Sequence, residues 1–465
     1  METQAIDHAA LLPLYLAAAT AAAALFAGRF AKAAAMAGLA ASGSAAVWLA
    51  FGPTRETFAV GEWHSFAADD ASMGLAALFA GITVLVAAIS GSRESEYFFL
   101  LAISASGGIA LASSRDLITL IVALETLTVP LYLLVAKPGR AGAEAGVTFL
   151  IASITASSTA LMGAALLYAA GGSVHFAALS EDLDGADTRL VAAGTALLLG
   201  GLAFKLAAAP LHSWAPLVLE RAPLPIATYL ASASKLGGAV AVVWVVHFAL
   251  APSAGTVAGI VLAGIAVASI AVGNVGALVQ RRTVGVLAWS GIAHAGYVLA
   301  PLGALSAATG RDGEAAAASA ALAYAVFFVL MEAGAFASLT SMREHDGGAI
   351  ADLGGLFRAA PRASTVFVIA VIGLAGLPPA LAGTFAKIAV LEWLASSAVW
   401  LAVVVVAGAV VGLAYYLPLA RTVLVSRGGE GAKDRYGLAV LAIGAALVAV
   451  SLAPQAVLEF TSFSQ

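Results

Sequence analysis

Apolar stretches of about 20 residues recur along the whole chain, and each is long enough to cross a ~30 Å hydrocarbon layer as a helix. That repetition constrains the fold more than any motif does. Lipid offers the backbone no hydrogen-bond partner, so a spanning segment must satisfy its own N–H and C=O groups. Hydrophobic residues make up 62% of the 465 and charged residues only 10%, against the roughly 25% that keeps a soluble surface wet. The expected class is an all-α polytopic membrane protein with about 14 transmembrane helices. The spans run 9–28, 31–51, 70–90, 96–113, 115–136, 146–170, 190–212, 223–248, 254–278, 283–304, 315–341, 363–394, 397–424 and 436–459. The opening METQAIDHAA has no positive leader, so the first span is expected to stay with the mature chain.

Loop charges orient these spans. Of 22 Lys and Arg, 15 fall in odd-numbered loops, among them Arg29, Lys32, Lys137, Arg140, Arg281, Arg282, Arg358, Arg427 and Arg435. Four, Arg55, Arg115, Arg189 and Arg311, fall in even-numbered loops. The positive-inside rule then puts the odd loops in the cytoplasm and both termini outside. The acidic run EDLDGAD lies on the outer side. The remaining three lysines, Lys205, Lys235 and Lys387, belong to no loop.

A lysine at mid-membrane costs about 2.5–3.5 kcal/mol on insertion scales, so such residues mark ion paths. Each of the three follows or precedes a helix-breaking element: Pro210 for Lys205, Pro223 and Pro225 for Lys235, and Pro378, Pro379 and Gly383 for Lys387. Proline frees backbone carbonyls, which a bilayer tolerates only beside protein, polar side chains or water. Broken helices of this kind line ion sites in transporters. Glu125, five residues before Pro130, is an intramembrane carboxylate that could pair with Lys205. Burial disfavours the charge of either group and pairing favours it, so such a pair can load or release a proton after a modest electrostatic change.

Other titratable residues are candidates for the same path. His212 lies seven residues after Lys205, about two turns along one face if the helix continued. His294 sits in LAWSGIAHAGYVL between Ser290 and Tyr297, and imidazole both accepts and donates protons near neutrality. Glu332 in FFVLMEAGAFASL is a second intramembrane acid, and Glu392 approaches the outer surface. His8, His64 and His345 are expected in loops, with His175 and His247 near the outer interface. There is no cysteine, hence no thiolate for an iron–sulfur cluster, and no Gly-rich phosphate loop follows a strand. No cofactor site is expected in this chain, and a net charge of −4 carries no nucleic-acid signal.

Five segments, in order, resemble the antiporter-like membrane subunits of respiratory complex I (NADH:quinone oxidoreductase) and its relatives. They are LETLTVPLYLL, FKLAAAPLHSWAPLVLERAPLPIATYLASASKLGG, GNVGALVQRRTVGVLAWSGIAHAGY, IADLGGLFRAAPRAS and GLAGLPPALAGTFAK. Ser234–Lys235 and Lys387 are similar to the subunit N branch, whereas subunit M usually has glutamate at the Lys387 position. The resemblance implies two inverted five-helix repeats with helices 7 and 12 broken. It divides the chain into peripheral helices at 1–95, a first repeat at 96–250, a second at 251–425 and a last helix at 426–465.

By the same resemblance, Glu125 and Lys205 are the regulating ion pair. Lys235 and His294 belong to a central polar axis, His212 matches a histidine after the broken-helix proline, and Lys387 is the outlet-side proton carrier. The family implies a bacterial plasma membrane location and partner membrane subunits, both antiporter-like and small quinone-side ones. NADH, FMN, iron–sulfur clusters and quinone would lie in partner subunits, with electron transfer there coupled to proton pumping here. Two positions depart from the pattern: Thr148 stands where EAxxKY has lysine, and Glu332 where asparagine is common. The alternatives are a subunit of a multisubunit cation/proton antiporter or membrane-bound hydrogenase, and an assembly subunit whose channel no longer conducts.

Overall fold

Segments that satisfy their own backbone and expose apolar side chains to lipid dominate the computed structural model, which describes residues 5–136, 139–307, 310–343, 347–425 and 434–463. Lys137, His345 and Arg427 lie outside the described residues. Three helices open the chain: α1 (Leu12–Phe26), α2 (Ala31–Ala50) and α3 (Asp70–Ile89). They are followed by α4 (Ser95–Ala112), α5 (Leu117–Val135), α6 (Arg140–Gly171), the short α7 (Phe176–Asp182), α8 (Thr188–Ala203) and α9 (Trp214–Arg221). Next come α10 (Leu224–Tyr229), α11 (Lys235–Trp244), α12 (Ala251–Leu278), α13 (Thr283–Gly303) and α14 (Gly310–Met342). The short α15 (Leu356–Ala359) precedes α16 (Pro361–Ala375), α17 (Leu381–Ser397), α18 (Val399–Val425), α19 (Gly437–Leu452) and the short α20 (Gln455–Phe460). Among the described residues, nine helical segments are long and apolar enough to cross a membrane, and α1, α8, α16 and α19 are shorter apolar helices.

Leu224–Leu278 is helical throughout, 55 residues, where two spans are expected. At 1.5 Å per residue a single straight helix of that length would reach about 80 Å, far beyond one bilayer. Pro252 at the start of α12 marks the boundary between the two expected spans. The prolines expected to break the chain beside Lys235 instead start α10. The distortion next to Lys235 is a widened π-turn over Leu230–Ser234, of a kind often found at functional sites.

One short hairpin is added to the all-helical plan. Residues Arg55–Val60 (β1) and Trp63–Ala68 (β2) form an antiparallel hairpin, with Arg55 opposite Ala68 and Val60 opposite Trp63. Asp7 ties the amino-terminal segment to it, accepting from Arg55 Nη1 at 3.0 Å while its backbone N–H donates to Thr57 Oγ1.

Helix α4 packs on α5 as α12 packs on α13, and α6 packs on α8 as α14 packs on α16 and α17. Leu117 N donates to Val174 O and Phe176 N to Arg115 O, at 3.0 and 3.1 Å. In the second half Thr283 N donates to Gly348 O and Ile350 N to Arg281 O, both at 2.9 Å. The interior centres on α13 and α14, whose apolar cores are almost wholly buried, whereas α6 and α18 expose most of theirs. Helix α6 alone exposes Val147, Ile151, Ile154, Leu161 and Met162, which suits a lipid- or subunit-facing surface.

Of the three expected interruptions, those beside Lys205 and Lys387 are present. Between α8 and α9 the chain unwinds over residues 204–213, and between α16 and α17 over 376–380. Each break carries a cis X–Pro bond, Ala209–Pro210 and Pro378–Pro379. A serine from another helix accepts a nearby backbone N–H in both: Ser269 from Ala209 at 2.8 Å, Ser451 from Ala382 at 3.0 Å. Gly376 has φ +81°, a left-handed conformation that lets α16 end abruptly. Trp214 holds the first break shut. Its ring stacks on Phe149 at 4.7 Å and lies 5.3 Å from Phe204, and its indole N–H donates to Phe204 O.

Trp214→Ala should therefore destabilise the chain by about 3–5 kcal/mol, the usual cost of deleting a large buried aromatic, and Trp214→Phe by less. Thermal unfolding of the purified assembly checks both. The Arg55 hydrogen bond holds the Asp7 carboxyl below the usual carboxylate range. The tie is therefore present above the ordinary carboxylate pKa and lost as pH falls through the lowered one. Hydrogen exchange at residues 55–60 should rise on acidification, and Asp7→Asn should remove that pH step.

Candidate functional site

A buried charge needs partners, and the three interior lysines meet that need in three different ways. Lys205 is 4% exposed and sits in the unwound turn just past α8. Its Nζ donates to Glu125 Oε1 at 3.0 Å, Thr128 Oγ1 at 3.1 Å and Ser153 Oγ at 2.8 Å, which uses all three of its N–H groups. Glu125 Oε1 also accepts from Ser157 Oγ at 2.6 Å. Helices α5 and α6 supply these groups with regular spacing. Thr128 is three residues beyond Glu125, and Ser153 and Ser157 are four apart, so each pair shares a helix face. Gly238 on α11 lets that helix approach the Lys205 turn, since a Cβ there would stand 2.6 Å from Leu206 N.

Lys235 is 1% exposed and its Nζ has no hydrogen-bond partner in the protein. It lies 5.2 Å from the centre of the Phe328 ring, a cation–π contact. Glu332, one turn further along α14, is fully buried with neither carboxyl oxygen hydrogen-bonded. His294 stacks on the Phe328 ring, centroids 4.9 Å apart. Its Nδ1 shares a hydrogen bond with Tyr324 OH at 3.0 Å and its Nε2 one with Tyr416 OH at 3.1 Å. Tyr415, beside Tyr416, donates to Asn274 Oδ1 at 3.0 Å.

Lys387 is partly buried on α17, and its Nζ donates to Leu374 O at 2.9 Å, a carbonyl at the broken end of α16. The ammonium lies against Gly376, where a side chain would displace it. Glu392 is exposed on the same helix and lines a cavity of about 460 Å³ with Asp312, Ser319, Ser396 and Ser462.

The structure thus joins Glu125 to Lys205, and groups Lys235, Glu332 and His294 around Phe328. It does not bring His212 to Lys205. The helix unwinds between them, and His212 Nδ1 meets Pro210 O at 3.2 Å while its ring edge faces Trp289. His175 and His247 make local contacts, with Ser65 and with Phe463. Thr128, Ser153, Ser157, Tyr324 and Tyr416 are site residues that charge counting passes over. Hydroxyls are ordinary in apolar helices, and only their i, i+3 and i, i+4 spacing marks the first three.

Chemically, the Glu125–Lys205 pair, the cluster around Phe328 and Lys387 are groups that can hold a proton inside an apolar interior. Comparison with known proteins bears on what they serve. Residues 114–412 match the family described as NADH:quinone oxidoreductase/Mrp antiporter, transmembrane. NADH-quinone oxidoreductase subunit N of Salinispora tropica is 46% identical over 438 residues, 89% of this chain and 84% of that one. A chain in respiratory complex I from Thermus thermophilus superposes with a TM-score of 0.82 at 30% identity, covering 96% of this chain and 98% of that chain. The fold is also shared with a chain of the Mrp complex from Dietzia sp. DQ12-45-1b, TM-score 0.83 at 19% identity, covering 98% and 96%.

Exchanging the charges of the Glu125–Lys205 pair tests the contact directly. Glu125→Lys alone places two cations side by side and should abolish assembly or stability, whereas Glu125→Lys with Lys205→Glu should recover much of it. Yield of the assembled protein and its thermal midpoint are the readouts.

Proposed function

This chain belongs to the NADH:quinone oxidoreductase/Mrp antiporter transmembrane family and, within it, to the subunit N family, and from that premise we propose that its interior lysines form a proton relay. As such it is a multi-pass, proton-translocating membrane subunit of NADH-quinone oxidoreductase, working beside other subunits of the complex. The observation that carries the relay is the Lys205 site, a membrane-buried lysine held at a helix break by one carboxylate and two hydroxyls.

In this reading Glu125 and Lys205 form the regulating pair. While Glu125 is near, the ammonium is stabilised; withdrawal of the carboxylate leaves a buried cation that favours giving up its proton. Glu125 is 31% exposed at the pair, so a charge on a neighbouring subunit could act on it. Lys235, Glu332 and His294 form the central part of the relay, with Tyr324 and Tyr416 orienting the imidazole. Lys387 is the outlet-side carrier, and the Glu392 cavity is its route to the outer surface. His212 is left as a peripheral group near the first break.

The finer architecture is part of the proposal. Fourteen crossings are obtained by counting α8–α9 and α16–α17 as one broken span each and dividing Leu224–Leu278 at Pro252. The peripheral helices end near residue 95, the first repeat covers 96–250, the second 251–425, and the last helix 426–465. The matching loop hydrogen bonds, at 115–117 with 174–176 and at 281–283 with 348–350, support two repeats of one plan. An odd number of crossings separates these two loop clusters, so the repeats would be inverted, with both termini outside a bacterial plasma membrane. Quinone, NADH, FMN and iron–sulfur clusters would be held by partner subunits, and the immediate neighbours would be antiporter-like and small quinone-side subunits. The cation/proton antiporter alternative has the shared fold in its favour and no specific residue.

Lys205→Ala in the assembled complex should lower proton translocation by roughly a hundredfold, the scale for losing a proton-transfer group. The assay is acidification of vesicles driven by NADH oxidation, with assembly checked in parallel. Normal assembly with unchanged translocation would contradict a conducting role. Lys387→Ala should block translocation too, while leaving the Glu125–Lys205 pair intact.

A further inference from the structure

Away from the interior lysines, residues of α2, α3, α14, α16 and α19 line a cavity of about 810 Å³. Its walls are apolar over most of their length. The α3 wall runs from Ala77 to Ala88, about 16 Å at 1.5 Å per residue, which is about one leaflet of a ~30 Å hydrocarbon layer. Helix α19 lines it from Leu438 to Ala446, and Leu330 of α14 contributes to the wall.

The charged lining residues gather at one end. Arg362, the second residue of α16, and Arg435, two residues before α19, both line the cavity beside Tyr436. No carboxylate is among its described lining residues. A Cβ on Gly437 would stand 3.3 Å from Arg362 Nη1, and one on Gly91 would stand 3.3 Å from Tyr436 OH. The starts of α16 and α19 therefore meet the loop that follows α3. Lys32 adds a third cation here. Its Nζ donates to Ala88 O at 2.9 Å and to Ser90 O at 2.8 Å, where the α3 wall ends. Asp434, beside the same turn, accepts from Ser341 Oγ at 3.1 Å. The loop charges assign this end to the cytoplasmic side.

We propose that the cavity is a site for one anionic phospholipid, its phosphate against Arg362 and Arg435 and its acyl chains along α3 and α19. Two features together select this occupant. The apolar wall is one leaflet long, which suits an acyl chain, and the guanidinium groups stand where a headgroup would lie. A guanidinium carries five N–H groups in a planar fork, so it can hold a phosphate and a protein partner at once. Basic pockets between membrane helices on the cytoplasmic side are suited to anionic headgroups. A helix from a neighbouring subunit would match the apolar walls but would have to bring its own acids to the two arginines. The lipid would join the peripheral helices α2 and α3 to α14, α16 and α19. This site lies apart from the relay and does not rest on it.

The test uses the assembled complex in vesicles containing phosphatidylglycerol or phosphatidylcholine with a photoactivatable group in one acyl chain. Peptides covering residues 77–88 and 438–446 should be labelled by the phosphatidylglycerol probe about tenfold more than by the phosphatidylcholine probe. Other membrane-exposed peptides should take both probes alike. Arg362→Gln with Arg435→Gln should remove most of that preference. Equal labelling of the two wall peptides by both probes would overturn the proposal. Absence of labelling there by either probe would also overturn it, and would favour a neighbouring subunit's helix as the occupant. An undiminished preference in the assembled double variant would overturn it as well. Should the double variant fail to assemble, the comparison of the two probes on the unmodified complex decides alone.

Discussion

Burying an ammonium away from water is the constraint on which the other features of this structure depend. An isolated charge in a medium of low dielectric is so unfavourable that it must be paired, neutralised or brought near water. Lys205 is paired and fully hydrogen-bonded, Lys387 has a single carbonyl, and Lys235 has only an aromatic face. A protein selected for stability alone would replace such residues with leucine, since buried ion pairs are often no better than well-packed apolar groups. Their retention supports the proposed relay, in which a buried lysine is kept because it can give up and regain a proton.

The helix breaks follow from the same constraint. A continuous helix uses its backbone groups internally and offers a lysine nothing. The unwound turn at residues 204–213 places Lys205 at the end of α8, facing Glu125 of α5 and Ser153 of α6. At the second break, Leu374 O is freed at the end of α16 and turned toward Lys387. Ser269 and Ser451 then satisfy backbone donors that the breaks leave over, so neither break leaves these groups unpaired in the membrane. Glycine completes the design by absence: side chains at Gly291 and Gly376 would collide with the two ammonium groups beside them.

Much of this was legible in the sequence, for identifiable reasons. Spans and breaks follow from hydropathy and proline, which act locally, and Lys205, Lys235 and Lys387 stood out because no loop could claim them. The Glu125–Lys205 contact was anticipated as a pairing of opposite charges, although 80 residues separate the two. The rest depended on geometry that sequence does not carry. A continuous helix would put His212 on the Lys205 face, but the chain unwinds between the two. Pro223 and Pro225 mark a helix start, and the π-turn at Leu230–Ser234 has no proline to announce it. The hairpin at Arg55–Ala68 is two short strands joined at Gly61, easily read as loop beside such long apolar runs. Ser153, Ser157 and Thr128 look like any hydroxyls in a membrane helix until α5 and α6 are packed together.

The central claim is that the interior lysines are links in one hydrated path rather than isolated charges tolerated for packing. A high-resolution map of the assembled complex in lipid, with ordered water resolved, tests it most directly. The expected result is water hydrogen-bonded at Lys235 and Lys387 and reaching the polar groups that hold Lys205, continuing from that pair to Lys235 and past Glu332 to His294 and the outer cavity. Dry, close-packed apolar side chains between these residues in every resolved state of the turning-over complex would contradict it.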